Sequence, residues 1–380
     1  MTTSRPHPAG GASRPDDSRP LRVACVYPGK RFLNMAAMDG IRFVRMAEAL
    51  ARRGHEVDIF LNRTPQPKAL APRLRELSLG HARWDEYDVV KTFFHHGFET
   101  LVAHGGGEHP FIVSKLGSVV GREHTEGVYF FGAVRERLFA TQREIARRSR
   151  VVTVLTNQSA ALWWKEHGYA TQLMQVPTGV DAEIPQLGPD PYPGLGITEP
   201  VALYAGNLRD SHQQPELNRF WQERLNLIGT RLRQRGVRLV AMGNGETDLL
   251  DPEAVKHVGQ IEMPAFWNWQ RHARVGIVFA EGPVQDNESS KLYYYLRTGL
   301  PVVCERPAPN AWLIETTGLG AVVDFGAIDQ LADAAVALAH ERPRVDGVVQ
   351  HMVRYHSWDA RAALYDQVFA AAPAWRASGA

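Results

Sequence analysis

Two doubly wound, Rossmann-like α/β domains with a cleft between them are what this sequence predicts. Three observations predict it. Residues 22–61 read strand, helix, strand, with the period of the apolar residues switching accordingly. A stretch dense in proline and glycine, PQLGPDPYPGLG, interrupts the chain near its middle, and the α/β alternation restarts after it. The strands of the second half each end in glycine or a polar residue, so their carboxyl edge becomes a loop-lined crevice, the place where open parallel sheets bind ligands.

Taken in order, residues 22–27 form an apolar strand, followed by a loop holding Gly29, Lys30 and Arg31. Asp39 can cap the helix GIRFVRMAEALARRG, on which Ile41, Val44, Ala47 and Leu50 share a face. Gly54 ends it and residues 56–61 return as a strand, which makes a right-handed parallel βαβ unit. Strands follow at 88–92, 111–115 and 151–155, with helices over about 133–148 and at ALWWKEHG. MQVPTGVD leads into the proline-rich stretch, expected as a linker over 183–200. Beyond it, strands at 201–204, 237–242 and 256–258 end in Gly206-Asn207, Gly243-Asn244-Gly245 and Gly259. Residues 266–274 are helical and 275–279 form a strand.

The stretch NESSKLYYYLRTGLPVVCE then poses a chemical question. Ser289 or Ser290 can cap a short helix, Gly299 suits its left-handed end, Pro301 stops it, and the valines read as a buried strand. Lys291 falls in the first turn, where the helix dipole already disfavours a cation. An anion seated at that helix start removes the conflict.

Composition narrows the classes. The 380 residues are 44% hydrophobic and 22% charged with net charge +2, too balanced to indicate nucleic acid. No apolar run is long enough to span a membrane. Residues 1–20 have no apolar core and read as a disordered tail, not an export signal. Cys25 and Cys304 both lie in expected strands, which fits a reducing cytoplasm better than a disulfide. His95, His96, His104 and His109 match no common ligand spacing, so no tightly held metal is expected.

VPTGVD, LYAGNL, VKHVGQIEMPAFWNWQRHARVGIVFA and ESSKLYYYLRTGLPVV, in that order, resemble the C-terminal half of glycosyltransferases of the GT-B fold. SSKL with HARVGI looks closest to bacterial exopolysaccharide glucuronosyltransferases of the xanthan type. The resemblance implies an acceptor-binding domain over 21–182, a donor-binding domain over 201–355 and a C-terminal helix, 356–372, packed back on the first domain. It implies transfer of a hexosyl or glucuronosyl group from a nucleoside diphosphate sugar, UDP favoured, to a hydroxyl of a glycan, a lipid-linked sugar or a small natural product. The sugar nucleotide is a co-substrate, and no tightly bound cofactor is implied. The donor side would comprise Gly206, Asn207, Arg209, Gly259, Gln260, Glu262, Ser289, Ser290 and Lys291, with Tyr294 at the ribose.

The departures from the family pattern matter. Asn207 and His212 stand where many retaining members carry Arg and Lys, and Asp286 and Tyr294 where they carry paired glutamates. An inverting enzyme with a reduced phosphate clamp is therefore expected. Its base should be a carboxylate or imidazole on the first domain. Glu123, His124 and Glu126 in the loop after residue 115 are candidates, with Glu126 and His124 preferred and Asp39 a further one against its plainer role as a cap. The helix AVRERLFATQREIARRSR is either a solvated face or a contact with an anionic membrane at its inner surface. Two rival readings stay open. One is a catalytically decayed domain that binds sugar nucleotide or scaffolds an assembly complex; the other is a sugar-nucleotide epimerase or hydrolase.

Overall fold

The computed structural model describes residues 20–28, 38–62, 66–122, 132–208, 215–280, 285–341, 343 and 347–373. The chain divides into two compact units, Met1–Ala182 with Val353–Ala380, and Glu183–Met352.

The first unit holds β1 (Arg22–Val26), α1 (Met38–Arg52), β2 (Glu56–Leu61), β3 (Lys68–Ala71), β4 (Leu74–Ser78), β5 (Val89–Phe93) and α2 (Phe94–Ala103). It continues with β6 (Ile112–Lys115), α3 (Gly132–Arg148), β7 (Val151–Val154), α4 (Asn157–His167) and β8 (Gln172–Gln175). The sheet order is β3-β4-β2-β1-β5-β6-β7-β8, parallel throughout except for the β3–β4 pair. Alternate residues of the central strands feed opposite layers. Val23 and Cys25 pack with Phe43 and Leu50 of α1, while Ala24 and Val26 pack with Phe98, Leu101, Ile145 and Trp163 from α2, α3 and α4. Burial on both faces is why these strands are apolar at successive positions rather than alternating. β3 and β4 lie beyond the elements expected from the pattern. All four residues of β3 are exposed, and Arg73 closes the hairpin with φ 62°, a conformation sequence patterning does not announce for arginine.

The second unit holds β9 (Val201–Ala205), α5 (Pro215–Arg233), β10 (Arg238–Met242), β11 (Val255–His257), α6 (Met263–His272), β12 (Val275–Val278) and α7 (Ser290–Arg297). β13 (Val302–Glu305), α8 (Trp312–Thr317), β14 (Gly320–Val323), α9 (Ile328–Glu341) and α10 (Val348–His356) follow, and the chain re-enters the first unit within α10. The six strands are all parallel, ordered β11-β10-β9-β12-β13-β14. Trp221, Leu225, Ile228 and Leu232 of α5 and Leu331, Ala332 and Ala335 of α9 cover one face. The order reverses between β9 and β12, so the open crevice lies beyond their carboxyl ends.

The proline-rich stretch is not a free tether. Gly188 N donates to Asn268 Oδ1 (2.8 Å), Asn268 Nδ2 donates to the Pro189 carbonyl (2.8 Å), and Tyr192 Oη donates to the Trp269 carbonyl (2.8 Å). It is a strap sewn onto α6 within the second unit.

α11 (Trp358–Phe369) closes the first unit against α1. His55 Nε2 donates to Asp366 Oδ1 (3.0 Å), Arg53 Nε donates to Asp366 Oδ2 (2.6 Å), and Arg52 pairs with Asp359 (2.9 Å). The motif PTGVD is held in the same place. Arg42 donates to Thr178 Oγ1 (2.8 Å), Arg45 pairs with Asp181 (3.2 Å), and a Cβ on Gly179 would come within 2.5 Å of the Trp358 ring.

Candidate functional site

Three loops meet at the carboxyl edge of β9, β10 and β11. Gly206 N donates to the Met242 carbonyl (2.8 Å), Leu208 N to the Asn244 carbonyl (2.7 Å), and Gly243 N to the Gly259 carbonyl (2.8 Å). Asn244 N donates to Asn207 Oδ1 (3.1 Å), and Asn244 Nδ2 bonds Gln260 Oε1. Gly243 has φ 145°, and a Cβ there would approach the Gly206 carbonyl oxygen to 2.3 Å, so only glycine lets the two loops touch. Gly206, Asn207, Gly259 and Gln260, expected together from sequence, thus share one edge, and Asn244 joins them unanticipated.

Lys291 connects α7 to that edge. A Cβ on Gly206 would fall 2.6 Å from Lys291 Cε and 2.7 Å from Tyr204 Oη, so the missing side chain is the space the lysine occupies. Nζ stands 5.1 Å from the centroid of the Tyr204 ring and 6.0 Å from that of Trp221. Those rings pack on Phe279, with centroids 5.0 and 4.4 Å away. The cation therefore rests on an aromatic floor at the topological switch point.

Ser289 is the N-cap of α7, but its hydroxyl makes no capping bond. Its Oγ is buried without a hydrogen-bond partner among the described residues. Asn310, 2% exposed, fixes the turn instead. Its Oδ1 accepts from Ser289 N (2.9 Å) and its Nδ2 donates to the Ser289 carbonyl (2.8 Å). Nothing in the local pattern RPAPNAW marks this asparagine, because its partner is 21 residues away. Beneath the edge, buried Glu305 pairs with Arg224 and accepts from Ala280 N (2.7 Å) and Gly326 N (2.9 Å). Burial pushes the Glu305 carboxyl up and the Arg224 guanidinium down.

Several expected residues fall elsewhere. Tyr294, expected at a ribose, is 1% exposed and stacks on Trp267 at 5.1 Å with a 19° interplanar angle. It packs α7 on α6, because α7 is buried on all sides. Tyr293 donates to Glu288 (2.9 Å), and Tyr295 accepts from Ala205 N (2.8 Å). Glu262 sits exposed at the N-cap of α6 without a side-chain capping bond. Asp39 lies inside the first turn of α1 rather than before it, and accepts from Tyr27 Oη (3.2 Å). Burial, with Asp39 beside it, raises the Tyr27 phenol. Arg209, Glu123, His124 and Glu126 lie outside the described residues.

The first unit has its own switch point, between β1 and β5. There Phe94 takes φ 59°, rare for an aromatic residue, with the ring against Gly117 and Lys115 Nζ 5.5 Å from the ring centroid. Among the described residues no group of three or more His, Cys, Asp or Glu is placed to hold a metal.

Comparison with known proteins follows the same lines. Sucrose-phosphate synthase from Thermosynechococcus elongatus superposes with a TM-score of 0.68 over 93% of this chain and 100% of its own, at 16% identity. HepE from Anabaena, in complex with UDP and glucose, gives 0.66 over 92% and 100%, at 12% identity. WaaG, a glycosyltransferase of lipopolysaccharide biosynthesis, gives 0.58 over 92% and 99%, at 16% identity. The fold is GT-B. Within it, residues 40–184 match the model of Glycosyltransferase Family 4. No curated protein matches the chain by sequence. None of these GT-B structures singles out the xanthan-type glucuronosyltransferases.

Proposed function

We propose that this GT-B protein is a glycosyltransferase that takes a hexosyl or glucuronosyl group from a nucleoside diphosphate sugar, with UDP the favoured nucleotide. The observation that carries the reading is the seating of Lys291 against Gly206 at the switch point of the second sheet, beside the start of α7 and the Ser289 hydroxyl, which has no hydrogen-bond partner among the described residues. A diphosphate fits that set. The ammonium supplies a point charge, the first-turn N–H groups and Ser289 supply donors, and the helix dipole adds to both. These groups would also stabilise the leaving diphosphate as its charge develops. The match of residues 40–184 and the HepE complexes with UDP and UDP-glucose support the choice of reaction and of nucleotide.

The acceptor hydroxyl would belong to a glycan, a lipid-linked sugar or a small natural product. Its proton would go to a base on the first unit. Asp39 lies near the carboxyl end of β1, hydrogen-bonded to Tyr27; Glu126 and His124 are the other candidates. Inversion is the outcome we propose, because residue 294 is a buried tyrosine where a second carboxylate would stand. The anomeric coupling of the product decides it.

Membrane contact through α3 is the weaker part of the reading. Arg135 pairs with Glu136, Arg137 with Glu99, and Arg147 and Arg148 with Glu144, which leaves a mixed-charge face. No described helix is long and apolar enough to cross a membrane.

The test is a thermal-shift panel of UDP, GDP, ADP and dTDP on wild type and Lys291→Ala. Saturation at ~100 times Kd should stabilise by about 2.7 kcal/mol. One nucleotide is expected to raise the wild-type midpoint, and the variant to lose most of that rise. A variant that responds like wild type would remove Lys291 from the site. Nucleotide binding without turnover on any acceptor would favour a decayed domain, and turnover of donor alone an epimerase or hydrolase.

A further inference from the structure

A buried glutamine clasps the loop after β6 in the first unit. Residues 116–122 leave the carboxyl edge of the sheet beside β5, where Gly117 lies against the ring of Phe94. Val120 in this loop is 1% exposed, and both its backbone groups bond Gln142 of α3, which has no exposed surface. Val120 N donates to Gln142 Oε1 (2.7 Å), and Gln142 Nε2 donates to the Val120 carbonyl (2.7 Å). His95, the residue after Phe94, meets the same Oε1 through its Nε2 (3.0 Å). His167, at the end of α4, meets the Gln142 Nε2 through its own Nε2 (3.1 Å). Beside it, Glu166 accepts from Arg122 N in the same loop (3.0 Å).

The backbone decides where each proton sits. A peptide N–H only donates and a carbonyl only accepts, so Val120 fixes which end of the Gln142 amide is oxygen. Oε1 then accepts from His95, whose Nε2 carries a hydrogen. The second N–H of the amide points at His167, whose Nε2 must offer a lone pair. His167 is therefore neutral, with its proton on Nδ1. A proton on its Nε2 would set two donors face to face. Gln142 has no remedy, because turning its amide over would oppose oxygen to the Val120 carbonyl and NH₂ to the Val120 N–H.

The surroundings oppose that charge as well. His167 is half-buried, with ring centroids 5.4 Å from Phe139 and 4.4 Å from Trp163. Burial, with Arg143 of α3 and Arg122 of the loop, holds it below the ordinary 6.5, against the attraction of Glu166 on its own helix. Across the amide, burial holds His95 down to about 4, with His96, Glu99 and Arg137 around it.

We propose that Gln142 is a proton-sensitive latch, closed on the loop after β6 while His167 is neutral and released when His167 Nε2 takes a proton. The closed form binds fewer protons than the open one. Closure is therefore complete above the ordinary histidine value and loses up to about tenfold per pH unit below it. Release frees Val120, and with it the turn that seats Gly117 on Phe94 beside the switch point of the first sheet. Loss of transfer in acid would follow if this edge receives the acceptor. That consequence rests on the sugar-transfer reading; the latch does not.

Two measurements on the full chain test it, and neither needs a substrate. With ¹⁵N-labelled histidine, long-range proton–nitrogen spectra at pH 7.5 should show His167 as the Nδ1–H tautomer, assigned by the signal lost in His167→Phe or His167→Gln. Hydrogen exchange over residues 116–122, corrected for the intrinsic effect of pH, should lose about tenfold or more of its protection between pH 7.5 and 5. His167→Phe keeps a ring against Phe139 and Trp163 but takes no proton, so its protection should stay flat over that range. Gln142→Leu should lose the protection at every pH. A charged or Nε2–H His167 at pH 7.5, wild-type protection that ignores pH, or a His167→Phe that keeps the wild-type pH dependence would overturn the latch. So would a Gln142→Leu protected like wild type.

Discussion

Gly206 and Lys291 are one device made of two residues 85 apart in the chain. The glycine matters for the volume it leaves and not for its backbone angle, since a Cβ would meet the lysine stem (2.6 Å) and the Tyr204 hydroxyl (2.7 Å). Gly206→Ala should therefore push the Lys291 stem aside and press on the tip of the Tyr204 ring rather than unfold the sheet, because neither contact is with backbone. We expect nucleotide affinity to fall by about tenfold, with a change in thermal midpoint of no more than a few degrees; titration with UDP and a thermal scan read the two effects separately. A large fall in midpoint with affinity intact would put the glycine in the fold and not in the site. Tyr294 teaches the converse. Its position in the motif suggested a ligand contact, but its ring is stacked on Trp267 inside the unit.

At the scale of elements, α7 is short and would be marginal alone. Three buried tyrosines and two apolar leucines hold its body, and Asn310 holds its first turn. Asn310→Ala leaves the Ser289 N–H unmet and its carbonyl with the Leu292 N–H alone (3.3 Å), and should cost about 1–3 kcal/mol, measured by chemical denaturation, with weaker nucleotide binding because the helix start moves. α11 is attached to the first unit through polar groups as well as packing. His55 and Arg53 hold the Asp366 carboxyl below its ordinary value of 3.8, against the opposing effect of burial. A depressed carboxylate contributes stability that is complete above its unfolded pKa and is lost as pH falls through the lower folded value. Asp366→Asn should accordingly lower the melting point at pH 6 and lose that difference as the pH falls below about 4; melting curves across that range would show it.

For the whole molecule, the first unit carries a group that makes stability depend on pH in the opposite range. Lys91 lies on β5 in the middle of the sheet, with no exposed surface and no hydrogen-bond partner among the described residues. Its Nζ sits 4.0 Å from the centroid of Phe93 and 4.3 Å from that of Tyr365, and Cys25 is its partner across the ladder. Burial lowers its pKa to about 7 from 10.5. Between those values the unfolded chain binds the proton and the folded one does not, so stability rises with pH by up to about 1.4 kcal/mol per unit. Cys25, pushed up to about 12 from 9.0, works against this once the unfolded thiol ionises. The rise should thus be clearest between pH 7 and 9, and Lys91→Met should abolish it while raising stability at pH 7. Denaturation midpoints at three pH values suffice, and an unchanged slope in the variant would acquit Lys91.

The sequence by itself determined the two parallel α/β sheets, because burial on both faces writes continuous apolar strands, and helix periods and glycine stops lie within a few residues of one another. It also determined which loops end at the carboxyl edge of the second sheet. The helical spacing of Trp221, Leu225, Ile228 and Leu232 was equally legible, although α5 was not among the elements expected. Tertiary structure alone decided the rest. β3 is an exposed edge strand whose residues carry no pattern, and the strap looked like a tether until Asn268 and Trp269 supplied its partners. Which tyrosine packs and which group faces a ligand depends on what lies opposite. Asn310 meets Ser289 and Lys291 meets Gly206 across distances no local pattern encodes.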